Sequence, residues 1–276
     1  MPYIEIGREN SGAVELYYED HGEGTPVVLI HGFPLNGASF EKQLPPLLAA
    51  GFRVITYDRR GFGMSSKPSE GYNYDTFASD VKILMDKLDL REAALVGFSM
   101  GTGEVTRYLG TFGSERVSKA VLAGPLPPYL LKTDLNPLGV DQGVFTKIQE
   151  AILADRPAFF KDFFANFFNF DVLGGTLVSE EAVQMCWTVA LNTSPIATYE
   201  SVPAWLEDFR DDLMKFDVPT LIIQGVDDRI LPIDATGRRL PALIKDSKLV
   251  EIKNGPHNVC WTHATEFNGA LLDFLT

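Results

Sequence analysis

Cysteine and histidine are scarce in this chain, with two of the first and four of the second in 276 residues. Cys186 and Cys260 are too few and too far apart in sequence for a disulfide framework. They read as reduced, buried thiols. With no signal-peptide pattern over Met1-Pro2-Tyr3-Ile4-Glu5-Ile6, the expected location is cytoplasmic. The histidines are scattered and form no Cys/His cluster, so no metal and no other cofactor is expected. Positive charge is also short: 24 Lys and Arg stand against 37 Asp and Glu, a formal net charge of −13. That balance argues against nucleic acid and against anionic membrane surfaces as partners. No apolar run reaches the roughly 20 residues that a membrane span needs. Repeats and low-complexity tracts are missing as well. Self-association into a homo-oligomer is left open. What the chain does have is a hydrophobic share of 45%, enough for one large α/β domain or two small ones.

The most informative stretch is Val96-Gly97-Phe98-Ser99-Met100-Gly101-Thr102-Gly103. Ala93-Ala94-Leu95-Val96 before it is a short apolar run, which predicts a buried strand. Glu104 to Phe112 after it predicts a helix. Ser99 therefore sits where a strand turns sharply into a helix, flanked by glycines in the pattern G-x-S-x-G. A turn this tight has no room for side chains on either side and imposes strained angles on the serine. It holds the hydroxyl clear of the backbone at a helix N-terminus, where developing negative charge is favoured. Ser99 is the candidate nucleophile.

Strand and helix alternate around this point. Val14–Asp20 alternates loosely, as an edge strand does, and Gly22-Glu23-Gly24 turns the chain with His21 beside it. Pro26–Ile30 is apolar throughout, typical of a strand covered on both faces. Ser39–Ala50 predicts a helix, Arg53–Tyr57 a strand, and Phe77, Val81, Leu84 and Leu88 mark one face of a helix that starts at Asp75. Val117–Ala123 is another strand. From Gly124 to Val218 the rhythm stops and only helices are predicted, one of them carrying Phe159, Phe160, Phe163, Phe164, Phe167 and Phe168. Such pairs every fourth residue cover nearly half of a helix surface, which requires a broad buried face. The alternation resumes with Pro219–Gly225, a helix near Asp234–Leu243, a strand at Lys248–Ile252 and a last helix, Thr262–Leu275. The fold class implied is α/β, a mostly parallel sheet with helices on both faces. Residues 1–124 and 219–276 would form the core domain, and 125–218 a helical cap.

A serine hydroxyl needs a base to accept its proton, and the base needs an orienter. His257 lies in a Gly- and Pro-bearing loop directly after a predicted strand and is the candidate base. His263 falls inside the predicted last helix, and His31, before Gly32 at a strand end, reads as a holder of that loop. For the acid, Asp227 and Asp228 both follow the strand that ends at Gly225, and the residues alone do not choose between them. The order nucleophile, acid, base is that of the nucleophile-elbow hydrolases.

These stretches together resemble the α/β-hydrolase superfamily, and within it the cofactor-free haloperoxidases (perhydrolases) and aryl esterases. The resemblance is carried by His31-Gly32-Phe33-Pro34, Tyr57-Asp58-Arg59-Arg60-Gly61-Phe62-Gly63-Met64-Ser65, Gly97–Glu104, Asp228-Arg229-Ile230-Leu231-Pro232, and Pro256-His257 with Trp261-Thr262-His263-Ala264. It implies the α/β-hydrolase fold and selects Asp228 as the acid, since in the family the acid immediately precedes the segment matching Arg229–Pro232. It also implies an oxyanion hole made by the backbone N–H groups of Phe33 and Met100. Two features depart from the family pattern: Asn258, where a small residue is expected, and the proline-rich Gly124-Pro125-Leu126-Pro127-Pro128.

The activity implied is acyl transfer from a small carboxylic ester, or from a carboxylic acid, through an acyl-enzyme on Ser99. Hydrogen peroxide as the acceptor would give a peracid, which in the family oxidises halide outside the site. Perhydrolase-like members carry proline where this chain has Pro34. Pro34, Leu126, Phe163, Phe167 and Ile230 are the expected acyl-pocket residues. Dehalogenases and epoxide hydrolases use a carboxylate where Ser99 stands and fit poorly. An amidase, lactamase or lactonase on the same triad, and a non-catalytic ligand-binding protein, are the alternatives.

Overall fold

The apolar runs of the sequence become the inner strands of one sheet in a computed structural model that describes residues 2–276. The strands are β1 (Tyr3–Glu9), β2 (Gly12–His21), β3 (Pro26–Ile30), β4 (Arg53–Tyr57), β5 (Ala93–Phe98), β6 (Val117–Ala123), β7 (Thr220–Gly225) and β8 (Ser247–Ile252). Their spatial order is β1-β2-β4-β3-β5-β6-β7-β8. β1, β2 and β4 pair antiparallel, and every later pairing is parallel. Alternation within the strands builds two cores. Val27, Leu29, Val96, Val121 and Ile223 face one of them, while Val28, Ile30, Leu95, Leu122 and Ile222 face the other. Because β5 and β7 are buried at every position, the loops at their C-terminal ends are held by the best-packed part of the molecule.

The second core is closed by α2 (Tyr74–Lys87) and α3 (Met100–Phe112), through Val81, Leu84, Val105 and Leu109. On the opposite face lie α1 (Leu44–Ala49) and, at the chain's end, α9 (Val259–Thr262) and α10 (Ala264–Leu275), with Leu47, Phe267 and Leu271 packed inward. Between β6 and β7 come α4 (Gln142–Phe167), α5 (Phe170–Leu173), α6 (Glu180–Leu191), α7 (Pro195–Ala204) and α8 (Arg210–Leu213). Among the described residues this segment forms isolated β-bridges, such as Leu131 with Val140, but no strand. α4 breaks at Asp155, whose φ and ψ are −160° and 88°. The cause is Pro157, which cannot donate to the preceding turn. The Asp155 carboxylate accepts the Ala158 N–H at 3.0 Å and so caps a fresh helix. In the part of α4 after the break Phe160, Phe164 and Phe167 are buried, as is Phe168 just beyond its end, whereas Phe159 and Phe163 are half-buried. No helix among the described residues is long and apolar enough to cross a membrane.

Several predicted elements come out differently. The single helix expected over 39–50 is a 3₁₀ turn at Gly37–Phe40 followed by the short α1. Pro45 and Pro46 are tolerated only in a first helical turn, so the helix has to start at Leu44. The helix expected near 234–243 is a 3₁₀ turn at Gly237–Ala242 that contains Pro241. The last helix is divided at His263, with φ −117° and ψ 41°, so His263 joins α9 to α10 instead of lying within one helix. There the Thr262 hydroxyl bonds back to the Asn258 carbonyl at 3.0 Å, a contact that competes with the regular ladder. β1 was not anticipated, and β2 runs on to include His21.

Candidate active site

Ser99 occupies the turn between β5 and α3 with φ 53° and ψ −120°, in the region that side chains rarely adopt. Its neighbours make that turn possible. A Cβ at Gly97 would stand 2.5 Å from the Gly101 carbonyl oxygen, and one at Gly101 would stand 2.2 Å from the Ile30 carbonyl oxygen. Neither fits, so both positions require glycine. The Ser99 N–H donates to Ala123 at 2.8 Å, which ties the elbow to β6. The Ser99 carbonyl accepts the Thr102 hydroxyl at 2.6 Å, and that hydroxyl accepts the Leu126 N–H at 2.9 Å.

His257 is fully buried, with Nε2 at 2.8 Å from Ser99 Oγ and Nδ1 at 2.7 Å from Asp228 Oδ2. Asp228 is the buried member of the acidic pair and Asp227 is exposed. Asp228 Oδ1 accepts the Ile230 and Leu231 N–H groups at 2.9 and 2.8 Å, so the loop after β7 wraps its own carboxylate. With Asp228 accepting, Nδ1 carries the proton and Nε2 is left with its lone pair toward the serine hydroxyl.

Phe33 follows β3, and Met100 opens α3. Among the described residues neither backbone amide has a protein acceptor. The first turn of α3 leaves the Met100 N–H free by construction. The loop that carries Phe33 is braced from below. His31 is fully buried, with Nδ1–H donating to the Gly32 carbonyl at 2.9 Å and Nε2 accepting the Arg59 N–H at 3.0 Å. The Arg59 guanidinium donates to the His31 carbonyl at 2.6 Å and pairs with Glu104 of α3, which also takes the Tyr57 hydroxyl. Burial, and then the Arg59 charge, hold the His31 imidazole well below its usual range, so it is neutral. Burial pushes the Glu104 carboxyl up, against the pull of Arg59. One buried pair thus ties the Phe33 loop to the helix that starts at Met100.

Above Ser99 lies a cavity of about 320 Å³. Phe33, Met100, Leu126, Phe163 and Ile230 line it, together with Trp205, Phe145 and Leu130. Asp162, Asn166 and Arg229 are its polar members besides Ser99. Among the described residues no group of three or more His, Cys, Asp or Glu is placed to hold a metal ion.

Residues 25–264 match the alpha/beta hydrolase fold family. The chain is 62% identical over the full length of both proteins to one from Synechocystis sp. that is provisionally assigned as a non-heme chloroperoxidase. It is 35% identical to a bifunctional esterase/perhydrolase of Acinetobacter calcoaceticus, over 95% of this chain and 96% of that one. A bromoperoxidase from Bacillus anthracis, known from its crystal structure, is 47% identical and superposes with a TM-score of 0.94 over 99% of this chain and 98% of its own. This chain belongs to the α/β-hydrolase family. Within it, the chain falls among the non-heme haloperoxidases and perhydrolases.

Two expected pocket residues are placed elsewhere in this α/β-hydrolase. Pro34 is buried behind Phe33, where its carbonyl accepts the Thr193 hydroxyl at 3.2 Å, and it is not among the residues lining the cavity. Phe167 is also absent from the lining, because the last turn of α4 directs it down onto His257, with ring centroids 5.2 Å apart. Trp205 was not anticipated. It ends α7 and stacks edge-on against Phe33 at 4.9 Å, a wall supplied by a helix with no pattern pointing at the site. Gln224 is a further residue without a predicted role; an amide directly after the apolar run Leu221-Ile222-Ile223, on a strand buried throughout, requires a buried partner.

Proposed function

We propose that this chain is a serine hydrolase that transfers the acyl group of small carboxylic esters to water or to hydrogen peroxide. The observation that carries this reading is the Ser99–His257–Asp228 chain of contacts, at 2.8 and 2.7 Å, beneath an apolar cavity that Phe33 and Met100 also line. Ser99 Oγ attacks the ester carbonyl carbon while His257 Nε2 takes the hydroxyl proton. The Phe33 and Met100 N–H groups receive the oxyanion, a contribution of about 2.7–4 kcal/mol per donor in comparable enzymes. Asp228 keeps the imidazole in its productive tautomer and stabilises the imidazolium. The alcohol leaves with the proton from His257. Water or peroxide then attacks the acyl-enzyme, giving up its proton to the same nitrogen, and the carboxylic acid or peracid departs from a regenerated Ser99. A carboxylic acid with peroxide enters the same cycle through its own acyl-enzyme, with water as the first leaving group. The names of the relatives, peroxidases on one side and an esterase/perhydrolase on the other, support both acceptors.

In this reading residues 1–124 and 219–276 form the catalytic core, and 125–218 the cap that roofs the cavity. Every group used in this cycle comes from one chain. Cys186 and Cys260 are both free and buried, which supports a reducing, cytoplasmic setting. The test is hydrolysis of p-nitrophenyl acetate, labelling by a fluorophosphonate, and peracid formation from acetate and peroxide. All three should vanish in Ser99→Ala. Absence of labelling in the unaltered protein would leave a ligand-binding protein as the reading, and hydrolysis without peracid a plain esterase.

A further inference from the structure

We propose that Gln224 is a positioning residue that sets how strongly Asp228 holds the His257 imidazole. The proposal rests on the triad reading above. Gln224 is fully buried on β7, four residues before the acid. Its amide is used completely by the loop that follows. Nε2 donates to Asp228 Oδ2 at 3.1 Å and to the Leu231 carbonyl at 2.6 Å, which uses both of its hydrogens. Oε1 accepts the Gly237 N–H at 3.1 Å and the Thr236 hydroxyl at 3.2 Å. The Gly237 N–H can only donate and the Leu231 carbonyl can only accept, so the amide has one orientation, with its NH₂ toward Asp228.

The oxygen that Gln224 touches is the one that matters. Asp228 Oδ1 is occupied by two backbone N–H groups, whereas Oδ2 accepts from both Gln224 and His257 Nδ1. A donor on Oδ2 stabilises the carboxylate and lessens its demand for the imidazole proton. Taking that donor away leaves Oδ2 a stronger acceptor, which raises the proton affinity of His257. Among the described residues, His257 and Asp228 have only each other as an ion-pair partner. Phe98 of β5 and Phe167 of α4 pack on the imidazole as neutral rings, each with its centroid 5.2 Å from that of His257. Asp227 and Arg229 are exposed, and Arg229 is paired with Asp171 at 2.6 Å. On the 3₁₀ turn beyond Gln224, Arg238 is held by Glu251 and Asp234, and Arg239 reaches the Ala235 carbonyl.

The experiment is the pH profile of kcat/KM for p-nitrophenyl acetate in the unaltered enzyme and in Gln224→Met. The acid limb, which reports the base in the free enzyme, should move up by about half to one pH unit, roughly half of what a hydrogen bond to a charged group is worth, because the effect reaches His257 only through the Asp228 carboxylate. An acid limb that stays where it was, whatever happens to the plateau rate or to the melting temperature, would overturn the proposal and leave Gln224 a packing residue. Should Gln224→Met fail to fold, Gln224→Leu removes the same donor with another apolar side chain of similar size. It should shift the limb in the same direction by the same amount, and an unmoved limb there overturns the proposal equally. The two readings fail separately. Hydrolysis that survives in Ser99→Ala removes the triad, whereas Ser99-dependent hydrolysis with an unmoved limb removes only the role of Gln224.

Discussion

The ring of Phe167, the last residue of α4, stands edge-on to the imidazole of His257 with its centroid 5.2 Å away. Phe98 packs on the imidazole at the same distance, and the Asn258 N–H donates to the Phe167 carbonyl at 3.1 Å. The helical segment therefore reaches through to the base itself, beyond roofing the cavity. Phe167→Ala should destabilise the fold by about 3–5 kcal/mol, as expected for deleting a buried phenyl ring. It should lower kcat more than it changes KM, because a looser imidazole loses alignment and not substrate contact. The dependence on acyl-chain length should stay as it is, since Phe167 lies outside the cavity lining. Urea unfolding and a p-nitrophenyl ester series check both parts, and a changed chain-length profile would return Phe167 to the pocket wall.

That arrangement marks where the sequence stopped being readable. Gly97, Ser99 and Gly101 were legible because a strand-to-helix turn admits few residue types, and the fold keeps that local chemistry. The inner strands were legible because burial on both faces leaves an unbroken apolar run. Phe163 and Phe167 share a face by spacing, yet one lines the cavity and the other braces His257. Which of them does which depends on where α4 ends and on what lies beneath it, and neither is a local property. Pro157, Pro45 and Pro46 are the local signals of the break of α4 at Asp155 and of the start of α1 at Leu44. Trp205 and the Arg59–Glu104 pair join elements distant in sequence, and no periodicity announces them.

The acidic pair gives a sharp comparison. Asp228 is buried against His257, whereas Asp227 is exposed. Asp228→Asn should reduce kcat by on the order of 10⁴-fold, since an amide favours the wrong imidazole tautomer. Asp227→Asn should stay within a fewfold of the unaltered enzyme. Hydrolysis rates for p-nitrophenyl acetate, with circular dichroism showing an unchanged fold, decide it. Equal losses in the two variants would mean that the carboxylate partner is misassigned.

His31 ties stability to pH. Burial first and the Arg59 guanidinium second hold its imidazole well below 6.5 in the folded chain. Below that value the unfolded chain binds a proton that the folded one refuses. The stability is therefore complete above about pH 6.5 and is lost as the pH falls, by up to about 1.4 kcal/mol per unit from this one group. Glu104, whose carboxyl is raised by burial, works with the opposite sign. The urea midpoint should fall between pH 7.5 and pH 5, and the fall should be smaller in His31→Gln. Parallel declines in the two proteins would mean that other groups carry the acid sensitivity.

Phe163 sets the last expectation, which concerns substrate size. Its ring lines the cavity and stands at 89° to that of Phe33 with centroids 5.7 Å apart, so the two rings form one stretch of the cavity wall. A cavity of about 320 Å³ lies at the small end of the roughly 300–1,000 Å³ range of ligand pockets. Short acyl esters should be turned over best, and kcat/KM should fall once the chain outgrows the space. Phe163→Ala removes the wall without touching the triad. Each further methylene that it admits to apolar surroundings is worth about 0.8 kcal/mol, or about fourfold in kcat/KM. The optimum in a p-nitrophenyl acetate-to-octanoate series should therefore move to longer chains, with acetate losing ground relative to hexanoate. If the optimum stays in place, Phe163 serves Phe33 as a packing partner, and the limit on chain length lies with Phe145 and Trp205 on the rest of the cavity wall.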